Sequence, residues 1–180
     1  IVFYLSEYGR RDPELPARAV ESLHYAGLTA VLEQNADLLA EIVLALHWAG
    51  AEVPPQWAHW LWAQAAAFSV ETGDAAPLAD DYHAFLVCNW ALAATGGDPF
   101  RKTLTPARMT FRAPETPAPL AEISEALLAL EAARSGDWAV MRRRLAGALA
   151  PDTLAVLEAA AASSPYFEPY FEGFARAGRA

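Results

Sequence analysis

Between Ala19 and Phe100 the chain has no lysine and no arginine. With a net charge of −9, it lacks the continuous basic footprint that a phosphate backbone requires, so direct nucleic-acid binding is disfavoured. Cysteine is almost absent too. The single Cys88 excludes an internal disulfide framework and a Cys-x-x-Cys zinc site, and it fits a reducing, cytoplasmic setting. It lies in the apolar run "HAFLVCNWALAA", where a packed thiol is expected instead of a nucleophile. No uncharged apolar run reaches the roughly eighteen residues of a membrane span. The nearest, Leu38 to Ala51, contains Glu41 and His47 and is expected to be a buried helix. No Gly-x-Ser-x-Gly elbow is present, and "ATGGDP" lacks the lysine of a phosphate-cradling loop. No signal-peptide pattern is visible, and the chain starts at Ile1 without methionine, so a fragment or a processed product is expected.

What the chain has in abundance is helical spacing. Apolar residues recur at three, four and seven, alternation of period two is nearly missing, and alanine is frequent. Proline and glycine fall between the periodic stretches. Helices are predicted from Pro13 through "ARAVESLHYAGLTAVLEQN", from Asn35 to Gly50, from Pro54 to Gly73, and through "GDAAPLADDYHAFLVCNWALAATGG". From Asp98 to Pro119 the rhythm breaks, with five prolines and no sustained period, so 98–119 is predicted to be a long basic connection between two helical halves. Helices resume with "PLAEISEALLALEAARSG", "DWAVMRRRLAGALAP" and "DTLAVLEAAAASS", and a short last one is expected to start at Pro169. Residues 1–9 fit strand or helix. The expectation is an all-α single domain over 1–180, of about seven or eight antiparallel helices in hairpins, as a bundle or a short repeat-like array.

One hairpin has a familiar look. In "LLALEAARSGDWAVMRRRLAGAL", Leu128, Gly136, Asp137, Trp138, Leu145 and Ala148 fall near the pattern of a tetratricopeptide unit, which residues 120–151 resemble. Met141 replaces the small packing residue of that pattern, the closing Pro151 comes early, and no second copy follows at a period of about 34 residues. The resemblance implies a helical-hairpin scaffold of the sort used to bind proteins.

Charge is unevenly spread. The stretch without basic residues holds Glu21, Glu33, Asp37, Glu41, Glu52, Glu71, Asp74, Asp80, Asp81 and Asp98, all four histidines and five of the six tryptophans. The 98–119 connection then carries Arg101, Lys102, Arg108 and Arg112. Either those cations fold back over the acids, or the acids form a docking face that selects a cationic partner by complementarity. The triplet Arg142 to Arg144 fans around a helix and is expected to pair locally or to face water.

Two functions are weighed. The first is a non-enzymatic protein-binding domain, in concrete form a bacterial immunity or antitoxin-type inhibitor of a basic partner, with no cofactor. Glu33, Asp37, Glu41, Glu52, Glu71 and Asp74 would form its acidic surface, with Trp60 or Trp62 as the aromatic anchor. The second is a di-iron or di-manganese bundle enzyme. Glu21 and His24, and Asp80 and His83, have the i,i+3 spacing that puts a carboxylate and an imidazole on one helix face, and Glu41 or Glu71 would supply the further carboxylates. Asp80 also sits where capping would explain it. "QWAHWLWAQ" surrounds its helix with more rings than one core stripe uses. The near-duplicate "YFEPYFEGF" is expected to clamp the chain end onto the core.

Overall fold

The computed structural model describes residues 1–73 and 80–176. They are predominantly all-α: helices α1 (Val2–Leu5), α2 (Ala17–Leu32), α3 (Ala36–Trp48), α4 (Pro55–Ala67), α5 (Tyr82–Ala94), α6 (Pro119–Ala129), α7 (Trp138–Leu145), α8 (Pro151–Ser163) and α9 (Phe167–Ala175). Strands β1 (Ser69–Thr72) and β2 (Met109–Arg112) make one small antiparallel sheet. Contacts group the chain into two compact units. Unit 1 comprises 1–23 and 35–116, and unit 2 comprises 24–34 and 117–180. The third break, after residue 116, falls inside the proline-rich connection.

Unit 1 is built on α3, α4 and α5, with α5 packed against both of the others. Asn35 accepts a hydrogen bond from the Leu38 amide (3.0 Å) and starts α3, as its residue type predicts. At the other end Gly50, at φ +62°, turns the chain, and the Ala51 amide reaches back to the Leu46 carbonyl. Leu39, Val43, Leu44, Leu46, Leu61, Phe85 and Cys88 are buried in the core between these helices. At the N-terminus, Phe3 lies edge-on to Trp48 (4.8 Å between ring centroids), and Trp48 lies 5.2 Å from Trp90.

Four expectations are corrected. The first long helix starts at Ala17 instead of Pro13, because Leu15 precedes a proline and is pushed away from helical geometry. Asp12 accepts from the Glu14 amide (2.7 Å) in a local turn. The third long helix stops at Ala67 instead of Gly73. Ser69 to Thr72 are drawn into pairing with Met109 to Arg112, a strand within the 98–119 connection. That sheet closes over a second small core of Phe68, Phe85 and Phe111. Phe85 and Phe111 stack at 4.7 Å, and Phe68 meets Phe85 edge-on. Finally, α9 starts at Phe167, with Pro169 in its first turn, where a missing N–H is harmless.

Unit 2 gathers α6, α7, α8 and α9 with the later part of α2. Asp137 caps α7 by accepting from the Val140 amide. Glu122 on α6 accepts from the Ala150 amide (2.6 Å) and the Thr153 hydroxyl at the start of α8, and these bonds hold its carboxyl below the usual range. Phe167 and Phe171 are fully buried, and both meet Trp138 edge-on at 5.1 Å.

Candidate functional site

Helix α5 presents the feature that most needs a partner. Its sequence "YHAFLVCNWALAA" contains no acid, lysine or arginine. A helix that is apolar all round is normally covered on all sides. Phe85, Val87, Cys88, Asn89, Ala91 and Leu92 are buried, but Tyr82 is 53% exposed and Leu86, one turn on, 44% exposed. These two form an outward apolar stripe.

Beside the stripe stand charged groups. Asp37 and Glu41, one turn apart on α3, converge with His83 of α5, so that a carboxylate oxygen of each and a ring nitrogen lie within 4.8 Å of one another. His83 Nδ1 is 2.9 Å from Asp37 Oδ1. All three are open to solvent at least in part. Two carboxylates and an imidazole make a seat for positive charge, and the oxygen–nitrogen donor set suits manganese, iron(II) or zinc.

The other expected site residues are placed as follows. Glu71 on β1 meets Arg112 on β2 (3.7 Å), a cross-strand ion pair. Trp62 is half-exposed on α4, with the Arg101 guanidinium 5.5 Å from its ring centroid, and Arg101 also reaches Asp98 at 3.4 Å. The basic connection therefore returns to unit 1 at two points. Trp60 is half-buried, and Glu52 is exposed just before α4. Glu33 is exposed in unit 2. Asp74 lies outside the described residues.

The two expected Glu/Asp-x-x-His pairs are not what converges among the described residues. His24 is buried, with its ring stacked at 4.4 Å on Tyr166. Glu21 is exposed earlier on α2. Asp80 Oδ1 accepts from the amides of Tyr82 (3.1 Å) and Phe111 (3.0 Å), and Asp81 Oδ2 accepts from Ala113 (2.8 Å). These carboxylates tie the start of α5 to β2. Of the two pairs only His83 joins the convergent group, and it does so with Glu41, one of the further carboxylates expected, and with Asp37, which was not expected there. Spacing within α3 offered Asp37 and Glu41 as i,i+4 neighbours, but nothing local pointed to α5 as the third contributor.

Cys88 is packed with its thiol 3.6 Å from the Ala36 carbonyl. Burial, with a smaller push from the Asp37 carboxylate, raises its pKa to about 12. It is therefore a thiol, not a thiolate, near neutral pH. A disulfide-exchange reagent at pH 8 is expected to find no reactive thiol in the folded chain and one after denaturation. Rapid labelling of the native protein would contradict the packing of α3 on α5.

These elements define an all-α protein whose polar convergence and uncovered apolar stripe both sit on the outer side of one helix pair. A family model described as a domain of unknown function, DUF6902, matches residues 1–177, and the chain belongs to that family. No curated protein and no solved structure matches it. Among the described residues, no helix is long and apolar enough to cross a membrane.

Proposed function

We propose that the chain is a non-catalytic protein-binding domain whose α3–α5 face takes a partner with a basic, apolar-bearing surface. The observation that carries this is the pairing, on one helix pair, of exposed Tyr82 and Leu86 with the carboxylates of Asp37 and Glu41. An apolar anchor ringed by charge is the usual anatomy of a protein interface. Charge of one sign on the rim speeds and selects the encounter. Glu71 and Trp62 are engaged by Arg112 and Arg101 within unit 1, whereas among the described residues Asp37 pairs only with the titratable His83, so Asp37 and Glu41 carry the contact ahead of them. In its concrete form the protein is a cytoplasmic bacterial inhibitor of the immunity or antitoxin type, which occupies the basic working surface of its target.

A second reading rests on the same three groups. Asp37, Glu41 and His83 would hold one divalent cation, with open positions for water or substrate. Purification from the native cells at low salt, followed by salt-graded elution and metal analysis, separates the two. The binding reading expects one basic protein in stoichiometric amount, released by salt. Glu41→Lys should weaken its recapture. Leu86→Arg should do so about thirtyfold, as loss of a central anchor worth about 2 kcal/mol implies. One equivalent of manganese, iron or zinc, absent from Asp37→Asn and without a protein companion, would overturn it in favour of the cation site.

A further inference from the structure

Unit 2 has a cavity of about 510 Å³ that the proposal above does not use. Its walls include Tyr25 from α2, Leu127 from α6, and Tyr170 and Phe174 from α9. Tyr170 and Phe174 stack almost parallel, 5.7 Å apart at 8°, and present one flat aromatic surface. The size lies within the span of pockets that take small organic ligands, about 300–1,000 Å³.

Two further observations point to what fills it. Arg134 lines the cavity, and its Nε is buried with no hydrogen-bond partner among the described residues. The residue as a whole is only half-buried, so its guanidinium at the cavity wall is a ready charge-assisted partner for an anion. Arg176 adds a second guanidinium to the lining. The other observation concerns Gly173, inside α9. Glycine weakens a helix interior relative to alanine. Here no packing demands it, since a Cβ at this position would meet nothing within 4 Å. The absent side chain leaves its space to the cavity that Gly173 lines.

We propose that this cavity binds a small apolar carboxylic acid, with its hydrocarbon or aromatic body against Tyr25, Leu127 and Phe174 and its carboxylate on Arg134. The Tyr170 hydroxyl, bonded to Thr29 Oγ1 at 3.2 Å, is a further polar group on the same wall. Burial of Tyr170, and to a lesser degree the nearby Glu33 carboxylate, raises its pKa, so it stays a neutral phenol. Glu33 follows Thr29 by one turn, and its charge directs the ligand carboxylate away from that end and toward the arginines.

Calorimetric titration of the whole chain with octanoate, with octanol and with a hexapeptide ending in leucine tests this. Octanoate should bind saturably and about tenfold or more tighter than octanol, the increment expected of a charge-assisted contact. Arg134→Met should remove that difference while leaving the alcohol bound. Gly173→Leu should abolish binding of both while the thermal midpoint stays level or rises, because a better helix former has replaced glycine. Equal affinity for acid and alcohol, no binding of either, or octanoate binding that survives Gly173→Leu would each overturn the proposal. Binding of the hexapeptide without octanoate would overturn it as well, by making the cavity a peptide groove.

Discussion

Gly9→Ala will lower the stability of unit 1 by about 2–5 kcal/mol, far more than the same change at Gly50. Gly9 has φ +85°, and an added Cβ would come within 2.8 Å of Trp48 Cδ1 and Cε2. Left-handed geometry costs an L-residue roughly 1–2 kcal/mol, and forcing an extra methyl into packed rings adds about 1–3 kcal/mol. Trp48 cannot simply move aside. It is held between Phe3 at 4.8 Å and Trp90 at 5.2 Å, and Tyr8 stacks on the same Trp90 at 6.3 Å. Gly50 also has a positive φ, but a Cβ there meets nothing within 4 Å, so Gly50→Ala should cost only about 1 kcal/mol. Urea denaturation of the two variants, with m-values compared, checks the contrast. Equal losses would mean that backbone geometry alone sets the Gly9 requirement, and that the ring cluster yields.

The residues around Gly9 show what was legible in the sequence and what was not. The long helices could be read because their information is local: Asn35 and Gly50 bracket α3, and Pro55 opens α4. The turn at residues 7–9 could not. Glu7 and Tyr8 join Gly9 at positive φ, a geometry that composition does not favour for the first two and that the packing of Tyr8 on Trp90 sustains. The β1–β2 sheet was hidden for a related reason. "SVET" and "MTFR" are four residues each, too short to show alternation, and their pairing joins segments far apart in the chain. The candidate site divides in the same way. Asp37 and Glu41 were readable as neighbours on one helix face. The choice of His83 as their companion depends on how α5 lies on α3, which is a property of packed cores and not of spacing. The same packing consumed Asp80, whose acceptor oxygen holds the Phe111 amide across the start of α5. The unit 2 cavity had no sequence signal beyond an unremarked helical glycine.

Phe171→Ala should lower the stability of unit 2 by about 3–5 kcal/mol, the range for emptying a buried phenylalanine site. Phe171 is fully buried, 5.1 Å from Trp138 and 5.8 Å from Phe167, and these three rings pin α9 to α7. Its neighbours in the near-duplicate "YFEPYFEGF" have a different task. Helical geometry turns Tyr170 and Phe174 onto the next face, where they line the cavity. Phe174→Ala, at a half-buried ring, should therefore lower stability by about 1 kcal/mol. The repeat is thus one core-sealing pair, Phe167 and Phe171, interleaved with one cavity-lining pair, Tyr170 and Phe174. Trp138 is the one tryptophan of unit 2, and its fluorescence in a variant lacking the unit 1 tryptophans reports that unit alone. The two substitutions should separate: a large early loss for Phe171→Ala, a small one for Phe174→Ala, and weakened octanoate binding in the second. If both cost the same, Phe174 belongs to the core as well, and the cavity loses the wall on which a ligand body would lie.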